Sequence, residues 1–374
     1  MSGSGMEPAA KKIGVDEIKP GMVLARDVVT ANGTVLLAKN TMLNNINYNK
    51  LLTSGVEYIY AVSDSIDEKT SNFTEKERLS ASLEQQLKPV DQRPEFIEFQ
   101  NAVDEKTAEA KQRMHDISVG GNIDLNLLFS ITDDIIGKLR YKNDILTYIG
   151  FIKESDEHTY HHCVNVSLLC NLYARWTALP QKELLELTAA GMLHDIGKTK
   201  IPDAILNKKG KLTDEEFAVM KTHPILGYRI VQNQDIPEGI KSGVIMHHEK
   251  LDGSGYPLGV RDEQIGKLAK IIAICDIYDA MTSNRVYRAK ICPFEVIRTF
   301  ETKLYGELDT QCLLIFLNNI AYTYIGSWVR LTDGVVAEVV FINGKQLSRP
   351  MVRTLDGQFI DLSVNKEISI DSLV

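Results

Sequence analysis

Eight histidines occur in the chain, and seven of them fall between positions 158 and 248. Random scatter would not crowd them so, and acids stand beside or soon after them. His162, the pair His194-Asp195, His223, the pair His247-His248 and Asp276 form a set of candidate metal ligands. Imidazole nitrogens and carboxylate oxygens suit Fe, Mn, Zn or Ni, and no thiolate stands at a matching position. One aspartate can bridge two ions through its two oxygens. Five histidines and a second aspartate then supply roughly three ligands per ion and leave room for a bridging hydroxide. Two ions about 3.5–4 Å apart activate water and stabilise a phosphoryl transition state, so no separate general base is needed. Lys198 follows His194 by four residues and shares its face if the helix continues, where it can neutralise a phosphate oxygen without ligating.

Each piece has an ordinary alternative. A lone His-Asp dipeptide is more often structural, and an adjacent histidine pair is as often a solvated helix end. His161 and Tyr160 read as packing or solvent contacts. Asp276 is harder to dismiss, because within "AKIIAICDIYDAM" it would be a buried carboxylate without a partner. What decides for a metal site is the ordered run "HDIGK", "THPILG", "HHE", "DGSGYP" and "CDIYDAMTSNRVYR", most of it on helical stretches. Glu249 or Asp252 are the groups placed to orient ligating histidines from behind.

The elements that must position these residues read as follows. From Leu125 to about Tyr322, segments such as "HCVNVSLLCNLYARW" and "KELLELTAAGMLHDIG" carry an apolar stripe near the helical period. Residues 123–322 are therefore the expected catalytic domain, and the fold class is mainly α. Residues 1–10, with "MSGSGMEP" leading into a second methionine at position 6, read as a disordered cloning remnant. Residues 11–62 read as a small α/β regulatory module, with strands around an Asn32-Gly33 turn, a short helix capped by Asn44, and a third strand in "GVEYIYAV". Residues 63–122 form a polar helical connector in which Phe96, Phe99, Val103, Ala110, Met114 and Ile117 recur at helical spacing. That helix packs on a neighbour or supplies a homodimer contact. After Ile325 short β-rich runs separated by Asp333-Gly334, Asn343-Gly344 and Asp356-Gly357 predict a β-meander over residues 323–374.

Bulk numbers exclude some classes. A net charge of −8 and 25% charged residues recommend neither a nucleic-acid polymer nor an anionic membrane as partner. No run approaches the roughly 20 apolar residues of a membrane span. The sequence shows no signal-peptide pattern, and the five cysteines include no CxxC pair, which together predict a cytoplasmic protein with reduced thiols.

The motifs resemble the HD-GYP family, a branch of the HD metal-dependent phosphohydrolases, with "HDIGK" at 194–198 and "GYP" at 255–257. The resemblance covers roughly residues 140–315 and implies an HD-type helical bundle. It also implies a bacterial phosphodiesterase that opens cyclic di-GMP to pGpG and often continues to GMP at a di- or trinuclear centre, commonly of iron or manganese. It makes His162, His194, Asp195, His223, His247, His248 and Asp276 the metal ligands, and puts Lys198 on the scissile phosphate. Arg285 and Arg288 match basic substrate contacts, for which bidentate pairing with phosphate gives a physical reason; the alternative is an exposed charged helix end. Asp156 matches a guanine-binding position. Family members with a third metal carry a glutamate where this chain has His158, which favours two ions, Fe first and Mn (or Ni or Zn) next, with a third ion held through His158 as the alternative. A preference for 3′,3′-cyclic GMP-AMP or linear dinucleotides, and a non-catalytic cyclic-dinucleotide receptor, are the competing readings.

Overall fold

The computed structural model describes residues 10–15, 18, 22–29, 35–39, 41, 43, 51, 56, 58–62, 90–139, 144–152, 158–283 and 291–374, the side chains of Val35, Asp144 and His158 excepted. Asp156, Arg285, Arg288 and the Asn32-Gly33 turn lie outside the described residues. The chain divides into two compact units, residues 1–86 and 87–374.

In the first unit, β1 (Ala10–Gly14) pairs antiparallel with β4 (Tyr58–Val62), and β2 (Val28–Val29) with β3 (Val35–Leu37). Ile13, Leu24, Leu43, Leu51, Ile59 and Ala61 are among its buried apolar residues. Along β4 buried Ile59 and Ala61 alternate with more exposed neighbours, as a sheet with one covered face requires.

The second unit is mainly helical. Helix α1 (Pro94–Ser118) buries Phe96, Phe99, Val103, Ala110, Met114 and Ile117 along one stripe, against α2 (Leu125–Lys138) and α4 (His158–Trp176). The Asp124 side chain caps α2 by accepting from the N–H groups of Asn126 and Leu127. A short helix, α3 (Asp144–Ile149), precedes α4, and α4 packs closely on α5 (Gln181–Leu193). A 3-10 turn at Ile196–Lys200 leads to α6 (Asp203–Leu206), α7 (Asp214–Met220), α8 (His223–Val231) and α9 (Glu238–Met246). Helix α10 (Lys267–Thr282) is apolar nearly all round and runs through the core, packed on α4, α5, α9, α11 (Pro293–Thr302) and α12 (Thr310–Thr323). A helix hydrophobic on every side is stable only where neighbours cover every side.

The chain closes with a five-stranded antiparallel sheet, β5 (Trp328–Leu331), β6 (Val336–Phe341), β7 (Met351–Thr354), β8 (Phe359–Asp361) and β9 (Ile370–Leu373), in the order β8-β7-β6-β5-β9. The apolar residues of its strands join the helical core, and Glu301 of α11 ties it down by accepting from Leu347 N and Ser348 Oγ at 2.8 and 2.5 Å. All five cysteines are free. Among the described residues, no helix is long and apolar enough to cross a membrane.

Arg349 closes the meander by donating to three carbonyl oxygens, those of Leu362, Asn365 and Ile368, at 2.6 to 2.8 Å. Removing it leaves three carbonyls to find other partners. Arg349→Ala is therefore expected to lower stability by about 2–3 kcal/mol in urea titration, since a single hydrogen bond to a charged group contributes about 1.5–3 kcal/mol and the three are not additive.

Candidate metal centre

Three of the clustered histidines obey one local rule. His194 ends α5, His223 opens α8 and His247 ends α9. In each, Nδ1 lies 2.7 to 2.9 Å from the carbonyl oxygen three residues earlier: Gly191, Met220 and Val244 respectively. A carbonyl can only accept, so Nδ1 carries the proton and Nε2 is left with a bare lone pair. Helix ends have unpaired carbonyls to offer, and here those carbonyls set the tautomer.

The freed nitrogens converge on Asp195. His223 Nε2 stands 3.1 Å from Asp195 Oδ1, and His247 Nε2 stands 3.8 Å from the same oxygen. His194 Nε2 lies 3.3 Å from Oδ2, and His162 Nε2 3.6 Å from it. Two ligand-like groups share this carboxylate: Asp195 with His223, His247 and His248, and Asp195 with His162 and His194. Asp276 stands between them, 3.0 Å from His162 Nε2 and 3.6 Å from His248 Nδ1. All but His248 are buried.

This arrangement has the wrong partners for a protein left to itself. His223 Nε2 and His247 Nε2 face each other at 3.2 Å, acceptor against acceptor. His194 Nε2 and Asp195 Oδ1 are buried without a hydrogen-bond partner. Buried lone pairs that face one another are costly unless a cation sits between them. The donor set therefore fits a divalent metal, and an all-nitrogen-and-oxygen set fits iron, manganese, zinc or nickel.

The electrostatics agree. Burial pushes His247 well below its ordinary range, and the crowding of His248, His194 and His223 beside it further disfavours a positive ring. Burial likewise lowers His248 to about 4, so both rings stay neutral and able to ligate. Burial acts to raise Asp195, but Lys198 and His194 override it and hold the carboxyl well below the usual range. Lys198 Nζ lies directly on Asp195 Oδ2 and remains partly exposed. His162 is the exception to the carbonyl rule, since its Nδ1 donates to Asp279 Oδ2 at 2.6 Å. Burial would lower His162, but Asp276 and Asp279 outweigh it and raise the ring to about 9. A metal at Nε2 would replace that second proton.

Asp279 is the residue that sequence reasoning missed. It is buried, and besides His162 it accepts from Asn165 Nδ2 at 3.0 Å and Ser283 Oγ at 3.1 Å. Its signal was present: it follows Asp276 by three residues, on the same helical face. The groups expected to orient histidines do something else. Asp252 is exposed and closes its own turn, accepting from Ser254 N and Oγ. Glu249 is buried, and its Oε1 accepts from the N–H groups of Leu258 and Gly259, at 2.6 and 3.2 Å, and so holds the loop after the histidine pair. Among the described residues neither is hydrogen-bonded or ion-paired to a clustered imidazole, and each accepts from loop N–H groups instead. His161 turns toward α1, with Nδ1 3.4 Å from Thr107 Oγ1.

Two glycines make the geometry possible. A Cβ at Gly197 would meet His223 O at 1.9 Å and Gly227 N at 2.4 Å, so only glycine lets the turn after His194-Asp195 touch the start of α8. A Cβ at Gly255 would meet the backbone of His248, Glu249 and Lys250 at 2.5 Å, so the loop folds directly back on the histidine pair. There Tyr256 stacks on His248, centroids 4.6 Å apart and planes at 29°.

Residues 147–303, which hold every clustered side chain, match the HD domain family. Over 240 residues the chain is 38% identical to a cyclic di-GMP phosphodiesterase of Pseudomonas aeruginosa, covering 64% of this chain and 58% of that protein. A cyclic di-GMP phosphodiesterase of Thermotoga maritima is 35% identical over 188 residues, 48% of this chain and 51% of that one. A 3′3′-cGAMP-specific phosphodiesterase of Vibrio cholerae is 33% identical over 173 residues, 46% of this chain and 38% of that one. The chain thus spans between about two-fifths and three-fifths of the length of these relatives.

Gly197→Ala must push the 3-10 turn away from α8. It is expected to lose about 1–3 kcal/mol of stability, the usual effect of overpacking, and to bind metal less well, read by thermal unfolding and elemental analysis of the same preparation. Asp279→Asn should keep the fold but weaken metal retention about 10–100-fold in chelator competition, the usual effect of losing a group that orients a ligand.

Proposed function

We propose that the protein is a metal-dependent phosphodiesterase that hydrolyses cyclic di-GMP to pGpG, to GMP or to both. The observation that carries this reading is the pair of ligand groups sharing Asp195, with lone pairs aimed inward and no proton to separate them. We assign His162, His194, Asp195, His223, His247, His248 and Asp276 as ligands of two divalent ions, iron first and manganese next. Bound there, the ions would supply an activated water and neutralise charge on the phosphoryl group. The chain's own residues do the rest. Asp195 joins the two ligand groups through its two oxygens. Lys198, already on Asp195, lies at the partly exposed side of the cluster, where its ammonium can meet a phosphate oxygen. Asp276 and Asp279 hold His162 from both nitrogens.

Relatives of both names, cyclic di-GMP phosphodiesterase and 3′3′-cGAMP-specific phosphodiesterase, align with this chain at similar identity. A preference for cyclic GMP-AMP is therefore the second reading. A pair of purines differing in an exocyclic group is separated by a few hydrogen bonds, and kcat/KM for the two nucleotides, measured side by side, ranks them. The complete ligand set weighs against a receptor that only binds.

The test is turnover of cyclic di-GMP by protein purified without oxygen and supplied with Fe(II) or Mn(II). Formation of pGpG or GMP is expected, and its absence with both metals would sink the proposal. His194→Ala and Asp195→Ala should lose turnover and bound metal together. Lys198→Ala should instead keep its metal and lose about 10²–10³-fold in kcat, as removal of a charge-stabilising donor does elsewhere.

A further inference from the structure

The ring stack that begins at His248 does not end at Tyr256. Lys221 Nζ lies 6.0 Å from the Tyr256 ring centroid, and 5.2 Å from that of Phe217. Phe217 and Lys221 are one helical turn apart at the end of α7, and the chain reaches the clustered His223 two residues later. Exposure rises outward along this line, from buried His223 to Phe217, which is 48% exposed. Most large apolar side chains on a protein surface need no explanation. This one stands at the end of an aromatic and cationic lane that starts at the ligand cluster.

The charges along the lane also separate. Lys208 is committed to Glu216, whereas Lys221 has no carboxylate partner among the described residues. The arm is held firmly: the Thr213 and Glu216 capping box fixes the start of α7, and Lys221 N bonds to Phe217 O at 2.9 Å at its end. An exposed aromatic face beside an uncommitted cation is the combination that binds a base and its phosphate together.

We propose that Phe217 and Lys221 form a recognition arm for one purine nucleotide of the substrate, Phe217 stacking on the base and Lys221 pairing with a phosphate oxygen. The proposal rests on the phosphodiesterase reading above and names how the dinucleotide is held outside the metal cluster. The occupant follows from the lane: anything reaching from the clustered histidines to Phe217 passes a ring, a cation and a second ring in turn.

The experiment uses the full metal-loaded chain with Phe217→Ala, Phe217→Leu, Phe217→Trp and Lys221→Ala. Two probes are measured: binding of a hydrolysis-resistant phosphorothioate of cyclic di-GMP, and hydrolysis of cyclic di-GMP against bis(p-nitrophenyl) phosphate, which has no bases. Phe217→Ala is expected to weaken analogue binding and raise KM for cyclic di-GMP roughly 5–150-fold, the range that one base–aromatic stack supports. The loss should appear in KM rather than kcat, should be far smaller for bis(p-nitrophenyl) phosphate, and should be recovered by Trp but not by Leu. Lys221→Ala should weaken analogue binding and flatten its salt dependence. Unchanged binding in Phe217→Ala overturns the proposal, as does an equal loss on both substrates. If the parent protein cleaves bis(p-nitrophenyl) phosphate but neither binds the analogue nor cleaves cyclic di-GMP, the dinucleotide reading fails and the arm fails with it.

Discussion

The arrangement of the helical unit depends on a single buried carboxylate. Asp195 is surrounded by imidazole nitrogens whose protons have been drawn away to the backbone, so each of its oxygens faces acceptors. Nothing in an apolar interior would tolerate that arrangement unless positive charge were brought to it. Lys198 brings part of it from within the chain. The remainder calls for ions, and the elements around the carboxylate are disposed to receive them. The ends of α5 and α9 and the start of α8 each deliver a ring with its proton already parked on a carbonyl.

That local rule explains why the clustered histidines sit where helices stop. In the interior of a helix every carbonyl is engaged by the N–H four residues on, and a histidine there has no free acceptor beneath its ring. At a terminus the acceptor is available, and the ring is oriented by the same group that would otherwise need solvent. His162, inside α4, has no such carbonyl and takes a carboxylate from α10 in its place. The difference shows in its charge, because two acids favour a protonated ring where a carbonyl would not.

Much of this was legible in the residues. Crowded histidines, the order of the motifs and the helical stripes pointed to one cluster on helices, and the Asp-Gly and Asn-Gly pairs marked turns of the closing sheet, whose last strand departs from a simple meander by returning to pair with β5. What was not legible depended on long-range approach or on local competition. Gly197 reads in sequence as a residue that weakens a helix, yet its weight lies in a contact with His223, 26 positions away. Glu249 and Asp252 looked like supports for the histidines because they are near them in sequence. Each was captured instead by backbone N–H groups of the following loop, which are closer and need acceptors. Asp279 does supply a support, and its three-residue spacing from Asp276 was the overlooked sign.

Helix α10 carries both Asp276 and Asp279 and is packed on five other helices. A rod gripped on all sides cannot turn or slide without repacking every neighbour at once, and close-packed interiors resist that. It serves as the fixed reference of the unit, and the two acids keep their heights and bearings relative to one another. Helix α7, whose whole length contains no buried residue, stands at the other extreme, and it ends two residues before His223. The molecule thus divides its labour between an axle that sets the chemistry and a rim that meets what arrives.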